Sequence, residues 1–229
     1  MISFAEIECT PDWQDFGLPA QAHYSDTMPY HNWEHARNVA GNFVELAHHC
    51  AGRDILLDPL KGAIAGAWHD AGFHEDHTAL GFETKEHYSA QLASDHLRTA
   101  GVDEVYIDEV RVQILGTIHG AKRESLDVLA LHRADIAGIG KEYRGFARNN
   151  YALLCEARQA KPDLSFEEWM GKQNGFIDFI IEEALIELPR LGEDVGEHYS
   201  FDTIARRNIT KLLLQENEEK FVDALSIAV

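Results

Sequence analysis

The chain has 229 residues, enough for one large domain, and 45% of them are hydrophobic, which is typical of a folded globular protein and excludes a disordered one. Its 39 acidic and 20 basic residues give a formal charge of −19, which disfavours nucleic-acid polymers and anionic membrane surfaces as partners. Three scattered cysteines, no apolar run of about 18 residues and no basic, apolar leader favour a cytoplasmic protein over a secreted or membrane-spanning one.

Apolar residues recur at helical spacing through nearly the whole chain. The first predicted helix covers residues 33–47. Asp58-Pro59 indicates the start of the second, an N-cap followed by a first-turn proline, and we expect that helix to end near Gly72. Further helices are predicted over residues 83–100, 103–120, 125 to 138 or 140, 143–160, 165–188 and 201–228, the last in one or two pieces.

Strand patterns are scarce, and no glycine-rich phosphate loop follows a strand. The segments around Pro162 and Pro189 are turns rather than linkers, and no internal repeat divides the chain. We therefore predict an all-α fold in a single domain over residues 1–229. The segment after about residue 149 forms an accessory helical layer.

A pair of histidines opens the first predicted helix. His31 and His35 are four residues apart and share a helix face, which continues into Val39 and Phe43 and so points inward. A buried imidazole without a partner costs about 1–3 kcal/mol, so each of the two needs one. A metal ion is one such partner. Core or capping histidines with local hydrogen bonds are the alternative.

A His-Asp pair and a later aspartate also lie among small and apolar residues. An ionised Asp70 after the apolar run 63–67 is costly unless a cation compensates, and His69 and Asp70 near a helix end can reach one ion beyond it. Asp135 has similar surroundings. The alternatives are a solvated Asp70 and a salt bridge from Asp135 to Arg133 or another base.

These acids and imidazoles are more specific together than singly. They lie on the inward sides of three predicted helices and form a mixed nitrogen and oxygen donor set. Such a set suits a divalent zinc, iron, manganese, magnesium, cobalt or nickel ion. The candidate ligands are His31 or His35, His69, Asp70 and Asp135.

In these residues the sequence resembles the HD-domain superfamily of metal-dependent phosphohydrolases, whose hallmark is a histidine, a His-Asp pair and a distant aspartate. The Tyr-His-Asn-x-x-His segment from Tyr30 to His35 is similar to the first motif of cyclic-nucleotide phosphodiesterases and small HD hydrolases. The small hydrolases also show Glu-x-x-Ser-Ala, matched by Glu86 to Ala90. Two further segments of the small hydrolases, Thr-x-x-His and Asp-x-x-x-Leu-Gly, are matched loosely by Thr117 to His119 and by Asp135 to Gly140. The resemblance covers residues 29–143, about half of the chain.

Two departures limit what the resemblance implies. Ile139 stands where the last motif usually has leucine, which is a mild change. The residues that follow Asp70 do not match the phosphodiesterase pattern, so cyclic-nucleotide specificity is not carried over.

The resemblance implies an HD-like helical bundle over about residues 29–143, with accessory helices over about residues 144–229, and one bound divalent ion rather than two. It assigns His35, His69, Asp70 and Asp135 as the metal ligands, with Asp70 also able to bridge a second ion, and His31 as the general acid. Glu86 matches a residue that orients or activates water, with a solvated helix carboxylate as the alternative. His119 is a candidate second-metal ligand or phosphate contact, or else a helix cap.

The expected activity is hydrolysis of a phosphomonoester or phosphodiester, on a small nucleotide-like substrate, by a water molecule that the ion activates. Self-association is compatible with the sequence. One alternative is a di-iron oxygenase on the same scaffold, which needs extra ligands from His119 with His74 or His132. The other is a non-catalytic module that binds a metal ion or a nucleotide.

Overall fold

Helices are the regular structure throughout the part of the chain that the computed structural model describes, which is residues 2–182, 201–215 and 217–226. No strand occurs among these residues, and the predicted all-α class is confirmed. The HD-like arrangement stays a prediction. The chain divides into two compact units, residues 1–135 and 136–229. The predicted single domain also stays a prediction.

The first unit contains the helices that carry the predicted ligands. Three short elements precede them and were not predicted, because elements of five or six residues are too short to show a helical period. The elements are α1 (Phe4–Glu8), a π-helical turn (Trp13–Gly17), a 3₁₀ helix (Leu18–His23), α2 (Trp33–Ala51), α3 (Pro59–Trp68), α4 (Lys85–Thr99), α5 (Glu104–Leu115) and α6 (Leu126–Asp135).

Side-chain caps fix where several of these helices begin. Asp58 accepts hydrogen bonds from the backbone N–H groups at the start of α3, which confirms the predicted Asp58-Pro59 start. Asn32, Thr84 and Asp103 cap α2, α4 and α5 in the same way.

Two predicted helix ends are wrong. The helix α3 ends at Trp68, before Gly72, because the chain turns there and the Gly72 N–H donates to the His23 carbonyl. The helix α5 ends at Leu115 rather than near Gly120, and Gly116 is its C-cap.

Glycines allow α3 to pack closely against α2. A side chain at Gly62 would overlap the Phe43 ring. A Cβ at Gly66 would lie 2.9 Å from the backbone nitrogen of Ala40 and 3.0 Å from its Cα. Because Gly66 meets backbone, which cannot rotate away, the separation of the two helices depends on this glycine.

We expect Gly66→Ala to lower the free energy of unfolding by about 1–3 kcal/mol, because the added methyl group pushes α3 away from the backbone of α2. Urea denaturation followed by circular dichroism measures the change. Gly171→Ala on α8 is the matched control, since a Cβ there meets no atom within 4 Å and alanine favours a helix by up to about 1 kcal/mol. Equal losses of stability in both variants would contradict the close packing of α3 on α2.

The second unit begins with a 3₁₀ turn at Ile136–Gly140 and continues with α7 (Tyr143–Ala160), α8 (Phe166–Glu182), α9 (Phe201–Leu213) and α10 (Glu218–Ser226). The predicted helix over residues 143–160 is confirmed, and the last predicted helix is in two pieces. Residues 183–188 of the predicted 165–188 helix, the turn at Pro189, and residues 227 and 228 lie outside the described residues.

A buried asparagine holds the start of the second unit in place. The Asn208 amide on α9 donates to the carbonyl oxygens of Ile139 and Lys141, at 3.0 and 2.8 Å. Phe201 packs against Gly140. Among the described helices of both units, none is both long and apolar enough to span a membrane.

Candidate metal centre

His35 is positioned by the cap of α2. Its backbone N–H donates to Asn32 Oδ1 at 3.1 Å, and the Asn32 amide donates to the carbonyl oxygens of Met28 and Pro29. The side chain of His35, 8% exposed, lies in the first turn of the helix. The cap therefore sets both the start of α2 and the position of this imidazole.

The His-Asp pair directly follows α3 and is held from two sides. The Tyr24 hydroxyl donates to the Ala67 carbonyl at 2.8 Å, and the Ser89 hydroxyl on α4 lies 2.8 Å from the Ala71 carbonyl. Both members of the pair are buried, His69 at 1% and Asp70 at 4% exposure. The alternative of a solvated Asp70 is therefore wrong.

Asp135 is the last residue of α6, and a hydrogen bond from α2 to the preceding residue holds this end of the helix. The Asn42 amide donates to the Ala134 carbonyl at 2.9 Å, in a buried position. Among the described residues, the ion-pair partners of Asp135 are His35 and His69. Asp135 thus pairs with two bases, and both of them are predicted ligands.

The side chains of the four predicted ligands lie close together. His35 Nε2 lies 3.1 Å from Asp135 Oδ1 and 3.6 Å from Asp70 Oδ2. His69 Nε2 lies 3.5 Å and 3.0 Å from the same two oxygens. Each imidazole nitrogen thus faces both carboxylates. His35, His69 and Asp135 form a group that could hold a metal ion.

The hydrogen bonding of His69 tests whether a metal ion fits. Its Nδ1 lies 2.7 Å from the Gly66 carbonyl, which can only accept, so the ring proton of the neutral imidazole lies on Nδ1. The neutral ring, which is the form that binds a metal ion, has its lone pair on Nε2, and this atom is buried and makes no hydrogen bond with the described residues, although Asp70 Oδ2 is 3.0 Å away. A cation is the partner that such a lone pair between two carboxylates requires.

The spacing of the donors agrees with a single ion. Donor atoms bound to one zinc-sized ion at about 2.1 Å lie roughly 3.0–3.5 Å from one another. The four nitrogen-to-oxygen separations at the site run from 3.0 to 3.6 Å. The donor atoms of His35, His69 and Asp135, which all lie within 4.8 Å of one another, therefore fit a divalent ion in chemistry and in spacing. Asp70 contacts both imidazoles from outside that group of three.

The charges at the site shift the pKa values of its members. Burial alone would lower the pKa of His69, but the carboxylates of Asp70 and Asp135 outweigh burial and raise it well above the ordinary value. Burial would raise the pKa of Asp70 and of Asp135, but the neighbouring histidines, with Lys85 beside Asp70, lower both well below their usual range. Both carboxylates are therefore ionised and favour a cation between them.

Lys85 belongs to the site, although sequence reasoning did not identify it. Its Nζ lies 3.6 Å from Asp70 Oδ1, 4.0 Å from Glu86 Oε1 and 3.9 Å from the centroid of the Phe73 ring. The available signal was its place at the start of α4, directly before the Glu-x-x-Ser-Ala match. A lone lysine at a helix start is usually surface, so that signal was weak.

The predicted catalytic residues lie around the four ligands. His31 Nε2 is 4.0 Å from Asp70 Oδ2, and the His31 ring stacks on Phe73 with centroids 3.8 Å apart. The Glu86 side chain is 12% exposed, and its carboxylate lies 4.0 Å from the ammonium group of Lys85, which in turn contacts Asp70. His31 and Glu86 thus border the centre and, like Asp70, lie outside the group of three potential ligands found among the described residues.

His119 lies apart from that group. It is exposed in the turn after α5, and its charge acts on His132. Arg123 donates to the carbonyl oxygens of Gly116 and Ile118, and its Nη2 lies 3.3 Å from His132 Nδ1. Burial and the Arg123 charge lower the pKa of His132 to about 4. The Arg123 guanidinium therefore fixes the turn between α5 and α6.

No family model matches the chain, and no curated protein matches it significantly. Function is therefore inferred from the geometry of the site and from the motif resemblance.

Proposed function

We propose that the chain is a metal-dependent phosphohydrolase that uses water to cleave a phosphomonoester or phosphodiester of a small, nucleotide-like substrate. The proposal depends on one observation above all. Two buried imidazole nitrogens, of His35 and His69, each lie within 3.6 Å of two buried or half-buried carboxylate oxygens, of Asp70 and Asp135. These four residues are the proposed ligands of one divalent ion.

The donor set suits hydrolysis rather than a purely structural role. Two neutral imidazoles and two carboxylates balance the charge of a divalent ion, and four protein ligands leave coordination positions open for ions that prefer six. A divalent ion held there supplies Lewis-acid activation of water and stabilises charge on a phosphoryl group. Structural zinc sites usually use thiolates, and no cysteine belongs to the group of potential ligands found in the described part of the chain.

His31 is the proposed general acid. Its imidazole borders Asp70 Oδ2 at 4.0 Å and is oriented by the face of Phe73. An imidazole in this position can give its Nε2 proton to the leaving oxygen of the ester, as a general acid does. Glu86, at the start of α4, is the proposed residue that orients water.

The test is an activity screen of the purified protein. The protein is stripped of metal with a chelator, reloaded separately with zinc, manganese, iron(II), cobalt, nickel or magnesium, and assayed with p-nitrophenyl phosphate and bis(p-nitrophenyl) phosphate. Metal-dependent release of nitrophenol is the expected result. Two iron atoms per chain with oxygen consumption and no ester hydrolysis would instead establish the di-iron oxygenase. Metal binding without turnover of any ester would indicate the non-catalytic module.

Metal affinity is expected to rise with pH by about tenfold per unit between about pH 6 and pH 8. In the metal-free protein the carboxylates of Asp70 and Asp135 outweigh burial and raise the pKa of His69 well above its ordinary 6.5, which favours the protonated ring, so the ion must displace a proton. Each tenfold fall in proton concentration then strengthens binding tenfold. Competition with a fluorescent chelator at three pH values measures the slope, and an affinity independent of pH would show that no ligand proton is displaced.

A further inference from the structure

A three-layered stack lies beside the proposed ligands. The His31 ring is stacked on Phe73, with centroids 3.8 Å apart and an angle of 11° between the rings. Lys85 Nζ lies 3.9 Å from the same Phe73 centroid. One face of a phenyl ring has no room for both groups at these distances. The imidazole and the ammonium group therefore lie on opposite faces of Phe73.

The ammonium group of Lys85 has donors that the protein does not use. Its two carboxylate neighbours, Asp70 Oδ1 at 3.6 Å and Glu86 Oε1 at 4.0 Å, lie beyond hydrogen-bonding distance. Lys85 Nζ makes no hydrogen bond with the described residues, and 31% of its side chain is exposed. An ammonium group carries three N–H donors, so these are directed to solvent or to a bound ligand.

The charge of the molecule makes this cation important. The chain carries a formal charge of −19, and a divalent ion with two carboxylates and two neutral imidazoles is neutral overall. An anionic ester is therefore not attracted by the protein as a whole. Among the described lysines and arginines, Lys85 forms an ion pair with a proposed metal ligand, Asp70.

We propose that Lys85 is a substrate-binding residue that donates to a phosphoryl oxygen, and that Phe73 is the platform that fixes its ammonium group relative to the imidazole of His31. This inference rests on the proposed phosphohydrolase function and deepens it. Asp70 Oδ2 faces the imidazoles while Oδ1 faces Lys85. The lysine therefore lies on the outer side of the proposed metal ligand, where a phosphoryl group bound at the centre can reach it.

Lys85→Met tests the inference, because methionine keeps an apolar chain over Phe73 and removes the charge. Binding of inorganic phosphate to the metal-loaded protein is measured by titration calorimetry, and metal content by elemental analysis. We expect the variant to keep its metal and to bind phosphate about tenfold more weakly, the typical effect of losing one charge-assisted hydrogen bond. Its KM for p-nitrophenyl phosphate should rise more than its kcat falls.

Two further variants sharpen the comparison. Lys85→Arg retains the charge and should bind phosphate within a few-fold of the original protein. Lys172→Met is the control, since Lys172 is an exposed lysine on α8 that pairs with Glu168. It should leave phosphate binding unchanged.

The outcomes separate this inference from the function on which it rests. If the original metal-loaded protein neither binds phosphate nor hydrolyses an ester, the proposed function fails. If it does both, and Lys85→Met binds phosphate equally well, the role of Lys85 is overturned and the function stands. Loss of metal in Lys85→Met would also overturn it, since the lysine would then only support Asp70.

Discussion

His69→Ala is expected to leave the protein without a stoichiometric metal ion and with background phosphatase activity. The substitution removes the Nε2 donor whose lone pair is directed between Asp70 and Asp135 by the Nδ1 hydrogen bond to Gly66. Loss of an outer partner of a ligand costs about 10- to 100-fold in metal affinity, and loss of the ligand itself should cost more. Elemental analysis after desalting, together with the nitrophenyl phosphate assay, measures both effects.

Asp70→Asn should have the same result by a different route. The amide keeps the shape of the side chain but removes its negative charge. In the folded protein the carboxyl group of Asp70 carries that charge, because its pKa is well below the usual range. His74→Ala is the control, because His74 is exposed in the loop after the His-Asp pair. Circular dichroism confirms that each variant is folded. Full metal content and activity in both His69→Ala and Asp70→Asn would refute the site.

His31→Ala is expected to keep its metal ion and to lower kcat by about 10²- to 10⁴-fold, the usual contribution of a general acid. The imidazole lies 4.0 Å from Asp70 Oδ2 and outside the group of potential ligands, so its removal leaves the donors in place. Steady-state kinetics of the two proteins and elemental analysis of the variant measure the two effects.

The leaving group provides an internal control for this experiment. Nitrophenolate leaves readily without a proton, whereas an alkoxide does not, so His31→Ala should lower kcat far more on an alkyl phosphate than on p-nitrophenyl phosphate. Equal losses on both substrates would contradict proton donation by His31. Loss of metal from the variant would reassign His31 as a ligand.

Local chemistry determined much of the fold. The capping oxygen of Asp58 and the fixed φ of Pro59 act within one helical turn, so the start of α3 was predictable. Apolar spacing likewise predicted the helix over residues 143–160. The ends of α3 and α5 were not predictable in this way. Gly72 donates to His23, far away in sequence, and Gly116 packs against Val128 of α6.

The candidate ligands were also predictable in kind. An acid such as Asp70 after an apolar run needs a cation, and this requirement follows from the cost of burying charge whatever the fold. The sequence could not show that the Nε2 atoms of His35 and His69 would face the same two oxygens. That convergence depends on how closely α3 packs on α2 at Gly66, and on the Asn42 bond that holds the end of α6.

The sequence by itself thus determined the helical class and the types of residue able to bind a metal ion, because capping, periodicity and the cost of buried charge act locally or through composition. Tertiary structure alone decided which cation joins the site. Arg123 is near His119 in sequence, but its guanidinium group donates hydrogen bonds to carbonyl oxygens of its own turn. Lys85 reaches Asp70 because the loop between them folds back and places Phe73 beneath its ammonium group.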